Sequence, residues 1–420
     1  MFDANFHELE RRLKTAWKRF EDTQSRELVE KIRKKMEVSK YLLFEVIEEK
    51  QVSEFSFVIS ILDGTLQEDL FRLMKQLGID DPSADRNVMI EVLPHGELLG
   101  TGQYEALDYH WVEPFIAWLE CYNDNRTFPT PGTWMQMPDV TSFAIFGDWG
   151  GGCWNGNDVA KSISHHIQHT IKPDYSIHLG DVYYVGLHEQ EQHHLLALWP
   201  HGARGNFTLN SNHEMYPAGK GYFDTALTHD IFKQQQGKSF FALENKYWVV
   251  VGLDSAFHAD KDDLYMFGNL DPVQKEFLAE VKATGKNVIV LCHHNPLDIT
   301  GTIKVPVKIN GNANEGLWHQ VHDVLGERLK YWYWGHVHAG AVYKPVDGVN
   351  CRVLGHGVVP WGYAAALAKS SNSVAWFEHN KPVTLDGARV QNGFAFIRLA
   401  HESIVEAIYG EDGLQHWPES

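Results

Sequence analysis

Cysteine and basic residues are both scarce in this sequence of 420 residues. The four cysteines, Cys121, Cys153, Cys292 and Cys351, lie far apart and form no CxxC pair. This excludes a disulfide framework and a zinc knuckle, and it favours a reducing compartment. Lysine and arginine number 37 against 55 aspartate and glutamate residues, which gives a formal charge of −18. Because such an acidic balance repels phosphate backbones, we expect no binding of extended nucleic acid.

Long apolar runs are also missing. No window of about 18 consecutive apolar residues occurs, and the first residues show no apolar core behind a basic stretch. We therefore expect neither a secretion signal nor a membrane span. We expect the protein to be cytoplasmic. Histidine, in contrast, is abundant, with 24 residues. This abundance weakly favours metal binding or acid–base chemistry.

The first third of the sequence has the apolar periodicity of helices. One apolar stripe is formed by Phe6, Leu9, Leu13, Trp17 and Phe20. A second is formed by Leu66, Leu70, Leu73 and Leu77. Steps of three and four residues are typical of amphipathic helices, so residues 1–130 are predicted to form a mainly helical domain. This domain is either a helical extension that buries its stripes against the rest of the protein, or a domain that docks a partner or caps the substrate.

Proline and glycine interrupt the helical pattern at residues 127–132, which we interpret as a linker. Beyond it, short apolar runs that end in glycine alternate with amphipathic stretches. This alternation of strands and helices predicts an α/β domain with layered sheets over residues 138–412.

Candidate metal ligands follow the predicted strands of this second region. They occur in five blocks, which contain Asp148, Asp181, Asn212-His213-Glu214, His293-His294 and His336-Val337-His338. Loops at the carboxyl ends of neighbouring strands converge on one crevice, so ligands distant in sequence can meet there. Oxygen and imidazole donors without thiolate suit two borderline-hard cations. Two such ions can clamp a phosphoryl group and lower the pKa of a water molecule between them.

The order of the blocks, GD, GDxxY, NHE, HH and GHxH, resembles the calcineurin-like metallophosphoesterases and is most similar to their purple acid phosphatase branch. Two positions carry the likeness to that branch. Gly150 stands where the superfamily usually has histidine, and Tyr184 follows the second aspartate by three residues. The resemblance covers residues 140–412. It implies an αββα sandwich of two mixed β-sheets flanked by helices, to which the N-terminal region is a mainly helical extension.

The resemblance also implies a ligand set for two metal ions. The first ion, Fe(III), would be held by Asp148, Asp181, Tyr184 and His338. Asp181 would bridge to a divalent second ion (Zn, Mn or Fe), held also by Asn212, His336 and one histidine of the fourth block. That histidine is His293, which directly follows the strand, or His294, which fits the family's His-x-Pro pattern.

Three further residues receive roles from the resemblance. His213 would contact the phosphate and help to protonate the leaving oxygen. Glu214 would orient the same loop, in which Ser211 replaces the usual glycine of Gly-Asn-His. His356, between two glycines, lies on a loop that we expect to return to the crevice and contact substrate.

The implied activity is hydrolysis of small phosphate monoesters by attack of a metal-bound hydroxide. One alternative is a phosphodiesterase for cyclic nucleotides or other small diesters. Another is a scaffold that keeps the fold and has lost catalysis, although here a candidate fills every ligand position.

Overall fold

The computed structural model describes residues 4–44, 58–65, 68–69, 72, 75, 89–153, 158–304, 308–309, 312–313, 315–382 and 388–419. Its α-helices are α1 (Ala4–Thr23), α2 (Arg26–Phe44), α3 (Val58–Leu62), α4 (Val112–Cys121), α5 (Val159–His166), α6 (His188–Gln190), α7 (Asn212–Met215), α8 (Pro272–Ala283), α9 (Gly316–Leu325) and α10 (Ala365–Lys369). The predicted stripe from Leu66 to Leu77 lies outside the described residues. Within the described ranges, no helix is both long enough and apolar enough to cross a bilayer.

Among the described residues, the strands form two large sheets and two small hairpins. In chain order they are β1 (Met89–Val92), β2 (Leu98–Gly100), β3 (Thr133–Gln136), β4 (Val140–Phe146), β5 (Tyr175–His178), β6 (Gly205–Thr208), β7 (Phe241–Glu244), β8 (Trp248–Gly252), β9 (Asn287–Cys292), β10 (Lys308–Ile309), β11 (Asn312–Ala313), β12 (Leu329–Trp334), β13 (Gly340–Tyr343), β14 (Asn350–Leu354), β15 (Val374–Phe377), β16 (Gly393–Ala400), β17 (Ser403–Gly410) and β18 (Gln415–Trp417).

Both large sheets are mixed. The six-stranded sheet has the order β18-β17-β16-β4-β5-β6, with β4, β5 and β6 parallel and β16 and β17 antiparallel. The eight-stranded sheet has the order β15-β13-β14-β12-β9-β8-β7-β3, with a parallel centre formed by β14, β12, β9 and β8. The parallel strands of each sheet therefore end at a common edge.

Alternating side chains on the strands build the layers. On β4, Phe143 and Ile145 enter the core between the two sheets, whereas Ala144 and Phe146 join the cluster on the outer face. On the other sheet, Ile289 and Leu291 of β9 point between the sheets, and α8 and α9 cover the opposite face. This period of two buries both faces of both sheets. The predicted αββα sandwich is confirmed.

A buried ion pair ties the sheets together. Arg352 on β14 and Glu406 on β17 form a two-pronged pair with N–O distances of 3.0 and 2.9 Å. Loss of one partner from a buried pair leaves an uncompensated charge and costs about 3–5 kcal/mol. The pair thus fixes the tail strands of the six-stranded sheet against its neighbour.

The predicted stripe of α1 is buried. Phe6, Leu9, Leu13, Trp17 and Phe20 lie in one hydrophobic cluster that continues into the outer face of the six-stranded sheet. α1 packs on α4, where the ring centroids of Phe20 and Trp118 are 5.5 Å apart. The N-terminal region thus buries its stripe against the rest of the protein, and its division as a domain at residue 130 stays a prediction.

Candidate metal centre

The candidate ligands meet where parallel strands of the two sheets end. Asp148 follows β4, Asp181 follows β5, Asn212 follows β6, His293 follows β9, and His336 and His338 follow β12. Because β4, β5 and β6 are parallel, as are β9 and β12, these loops converge at one edge of the sandwich.

The first group of donors consists of Asp148, Asp181 and His338. Their ligand atoms lie within 4.8 Å of one another. Asp148 Oδ1 is 3.3 Å from His338 Nε2. The phenol of Tyr183 lies among them: its oxygen is 3.0 Å from Asp148 Oδ1, 3.0 Å from Asp181 Oδ2 and 2.9 Å from His338 Nε2. These are four donors of the kind that a borderline-hard cation accepts.

Tyr184 occupies a different place from the one predicted. Its phenol donates to the carboxylate of Asp108, from the N-terminal region, and its ring packs on those of Tyr104 and Trp111, with centroids 4.7 and 5.0 Å away. The two phenols have different partners, and the hydrogen bond to the buried Asp108 keeps the Tyr184 hydroxyl away from the first group. The phenol at the first group is therefore that of Tyr183, which the GDxxY pattern does not indicate.

The second group of donors surrounds His293. Its Nε2 is 3.3 Å from Asp181 Oδ1, 2.9 Å from Asn212 Oδ1 and 3.2 Å from His336 Nδ1. Its Nδ1 is 3.0 Å from the carbonyl oxygen of Leu179. Since a carbonyl only accepts, Nδ1 carries the proton, and the lone pair of Nε2 points at the group. Asp181 contacts both groups, one through each carboxylate oxygen.

His294 belongs to the same neighbourhood, since His293, His294 and His336 also offer ligand atoms within 4.8 Å of one another. Both of its ring nitrogens, however, have protein partners. Nδ1 is 2.8 Å from Ser255 Oγ, and Nε2 donates to the carbonyl oxygen of Tyr265 at 2.7 Å. These contacts support His293 over His294 as the ligand of the fourth block.

His213 lies beside the shared carboxylate. Its Nδ1 donates to the carbonyl oxygen of Tyr184 at 2.6 Å, and its Nε2 is 3.9 Å from Asp181 Oδ2. The rings of Tyr183 and Trp111 pack edge-on against it, with centroids 4.8 and 6.1 Å away. The imidazole is therefore held in one orientation at the centre.

Glu214 and Ser211 form a support behind Asp181. The Ser211 hydroxyl bonds both the Glu214 and the Asp181 carboxylates. Burial, followed by the charge of Asp181, raises the pKa of Glu214 to about 8. A protonated Glu214 can take part in a hydrogen-bond chain with Ser211 and Asp181, which agrees with the predicted orienting role.

His356 lies on a loop that does return to the centre. The amide of Val358 donates to the Asp148 carbonyl oxygen at 3.0 Å. The imidazole of His356, however, is buried beside Gly340 and Gly393, and this burial lowers its pKa to about 4. The loop backbone, rather than this side chain, is what contacts the Asp148 block.

The backbone is strained at three candidate ligands. Asp148, Asp181 and His336 have φ values of 56°, 75° and 64°. A residue with a side chain is destabilised by about 1–3 kcal/mol in the left-handed region, and residues strained in this way are common at functional sites. Next to His336, Gly335 packs so closely that a Cβ there would lie 2.5 Å from Asp148 Oδ2. The strain and the close approach both bring side chains into the centre.

The charges and protonation states of the buried side chains in the centre favour the binding of cations. Burial, and then the neighbouring Asp181 carboxylate, raise the pKa of Asp148 well above its ordinary value. Burial also lowers the pKa of His293 to about 4, which keeps its imidazole neutral and able to bind a metal. Two adjacent buried carboxylates with neutral imidazoles and one amide oxygen form a donor set that fits two metal ions.

One comparison with protein families finds a match that contains all five blocks of candidate ligands. Residues 141–340 match the family model described as calcineurin-like phosphoesterase. A search of curated proteins finds no match.

Solved structures with similarity to the chain include three proteins of low sequence identity. The purple acid phosphatase PPD1 from seeds of yellow lupin (Lupinus luteus) is 15% identical over 67% of this chain and 54% of its own, with a TM-score of 0.43. GAP50, described as the anchor in the inner membrane complex of Plasmodium, is 12% identical over 66% of this chain and 87% of its own, with a TM-score of 0.45. A dimetal phosphatase from Danio rerio is 13% identical over 65% of this chain and 96% of its own, with a TM-score of 0.42. The family match thus identifies a calcineurin-like phosphoesterase domain at residues 141–340 of the chain.

Proposed function

We propose that this protein is a two-metal phosphoesterase that hydrolyses small phosphate monoesters. The observation that carries the proposal is the position of Asp181. One of its oxygens lies with Asp148, Tyr183 and His338, and the other lies 3.3 Å from His293 Nε2. A carboxylate shared by two donor groups is what a pair of adjacent metal ions requires.

The proposed ligand sets follow from the two groups. Asp148, Asp181, Tyr183 and His338 would hold the first ion, and Asp181, Asn212, His293 and His336 the second. A phenolate ligand suits Fe(III), with Zn, Mn or Fe as the divalent partner. When bound, two such ions neutralise phosphoryl charge and lower the pKa of a water molecule.

The residues around the ions would orient and protonate the substrate. The hydrogen bond from His213 Nδ1 to the Tyr184 carbonyl fixes the ring, so any proton that His213 exchanges with substrate passes through Nε2. Nε2 faces the shared carboxylate, on the side where the phosphoryl group would lie. We assign to it protonation of the leaving oxygen. The support by Ser211 and Glu214 keeps Asp181 in place during this step.

An assay of two esters tests the proposed substrate class. We expect the metal-loaded protein to hydrolyse p-nitrophenyl phosphate with a kcat/KM at least about tenfold above that for bis(p-nitrophenyl) phosphate, a difference of about 1.4 kcal/mol in transition-state stabilisation. An equal or faster rate with the diester would identify a phosphodiesterase instead. No hydrolysis of either ester by the protein with both metals bound would indicate the non-catalytic scaffold.

The colour of the iron-loaded protein tests which tyrosine is the ligand. Because the Tyr183 phenol lies among the first donor group and the Tyr184 phenol bonds Asp108, we expect a visible tyrosinate-to-iron band that disappears in Tyr183→Phe and persists in Tyr184→Phe. The two variants serve as matched controls for each other. Loss of the band in Tyr184→Phe alone would restore the assignment that the GDxxY pattern implies.

A further inference from the structure

The centre is accessible from one side. Asp148, Asp181, Asn212 and His293 are buried, whereas His336 and His338 are partly exposed. On the opposite side, the rings of Tyr104 and Trp111 pack over Tyr183, with centroids 5.5 and 6.0 Å away. A substrate would therefore approach over the loop that follows β12, next to His336.

A partly exposed lysine, Lys304, contacts the loop that follows His293 and His294. Lys304 Nζ donates to Asn295 Oδ1 at 2.7 Å and lies 5.4 Å from the ring centroid of Phe267. Asn295 directly follows His294, and the rings of His294 and His336 are 4.9 Å apart. These contacts place Lys304 beside the loop that carries His293 and His294, next to the second donor group.

The Lys304 charge is poorly compensated by the protein. Its hydrogen-bond partner is an uncharged amide, and within the part of the chain that the structure describes it forms no ion pair. Burial lowers the pKa of Lys304 to about 8, although the charge of Asp298 opposes this shift. A partly buried cation with no carboxylate partner beside it is unusual in a chain with a formal charge of −18. Its position suits an anion that arrives from outside.

We propose that Lys304 is a specificity-determining residue that binds a non-bridging oxygen of a phosphate monoester. This inference rests on the proposed function. A monoester dianion carries one more negative charge than a diester, and it presents three terminal oxygens rather than two. An ammonium ion is a compact point charge with three donors, so it favours the more highly charged ester. Lys304 thereby distinguishes the two substrate classes that the same metal centre could serve.

Substitution of Lys304 tests this role with both esters. In Lys304→Gln we expect kcat/KM for p-nitrophenyl phosphate to fall at least tenfold, mainly through KM, while kcat/KM for the bis ester stays within threefold. The inhibition constant of inorganic phosphate should rise by a similar factor. Lys304→Arg should keep most of the preference because it keeps the charge. Lys161→Gln is the matched control, since Lys161 on α5 is exposed and pairs with Asp158, the residue just before that helix.

The outcomes separate this inference from the proposed function. Equal losses for both esters, an unchanged inhibition constant for phosphate, or a loss of bound metal in Lys304→Gln would each overturn the role of Lys304. If the wild-type protein hydrolyses neither ester, the proposed function fails. Calorimetric titration of the metal-loaded protein with inorganic phosphate then still tests Lys304, and equal affinity in wild type and Lys304→Gln would overturn the inference on its own.

Discussion

Asp181→Asn is expected to lower kcat/KM for p-nitrophenyl phosphate by at least about 10³-fold. The change keeps the shape of the side chain and removes its charge, so both donor groups lose the ligand that they share. Alteration of residues that only orient a metal ligand typically costs 10- to 100-fold. Loss of a charged ligand common to two ions should therefore cost more.

Metal content and fold are the controls for this variant. We expect Asp181→Asn to hold fewer than two metal ions per chain, and its far-ultraviolet circular dichroism to match that of the wild type. Asp323→Asn changes an exposed carboxylate on α9, whose side chain is 66% accessible, and should keep activity within twofold. An Asp181→Asn protein with full metal content and wild-type activity would show that the centre described above is not the catalyst.

His213→Gln is expected to lower kcat for glycerol phosphate by about 10²- to 10⁴-fold, the usual contribution of general acid–base catalysis. Glutamine can still donate to the Tyr184 carbonyl, but it cannot supply a proton at the position of Nε2. Because we do not assign His213 as a metal ligand, metal content should stay unchanged. His319→Gln, a change at an exposed position on α9, should have no effect on kcat.

The leaving group gives a second readout for His213. p-Nitrophenolate is a stable anion that needs little protonation, whereas an alkoxide such as that of glycerol needs a proton. We therefore expect His213→Gln to impair hydrolysis of glycerol phosphate more than hydrolysis of p-nitrophenyl phosphate. The same loss with both esters would mean that His213 contributes to binding or to the structure of the centre, and not to proton transfer.

The sequence predicts the location of the candidate centre well because the relevant patterns are local. A short apolar strand that ends in Gly147-Asp148 or Gly180-Asp181 identifies its own carboxyl end, and parallel strands bring those ends to one edge. The αββα sandwich that the resemblance implies is confirmed, and residues 141–340 match the calcineurin-like phosphoesterase family. The individual ligand assignments are spatially consistent, with the exception of Tyr184, and they stay predictions.

The remainder depends on contacts that the local sequence does not contain. Which of two consecutive tyrosines faces the first donor group depends on Asp108, 76 residues before Tyr184 and outside the region of family resemblance. The same holds for Trp111, which covers His213, and for Lys304, which belongs to none of the five blocks. The positions of these residues near the centre depend on tertiary packing, which cannot be predicted from the spacing of residues in the sequence.

The stoichiometry of metal-restored activity tests the central claim most directly. The protein is stripped with a chelator, and hydrolysis of p-nitrophenyl phosphate is followed while iron and zinc are added back and bound metal is measured. We predict an inactive stripped protein whose activity returns fully at two bound ions per chain. Activity that survives complete removal of metal, or that saturates at one ion per chain, would contradict a centre in which Asp181 is shared by two metal ions.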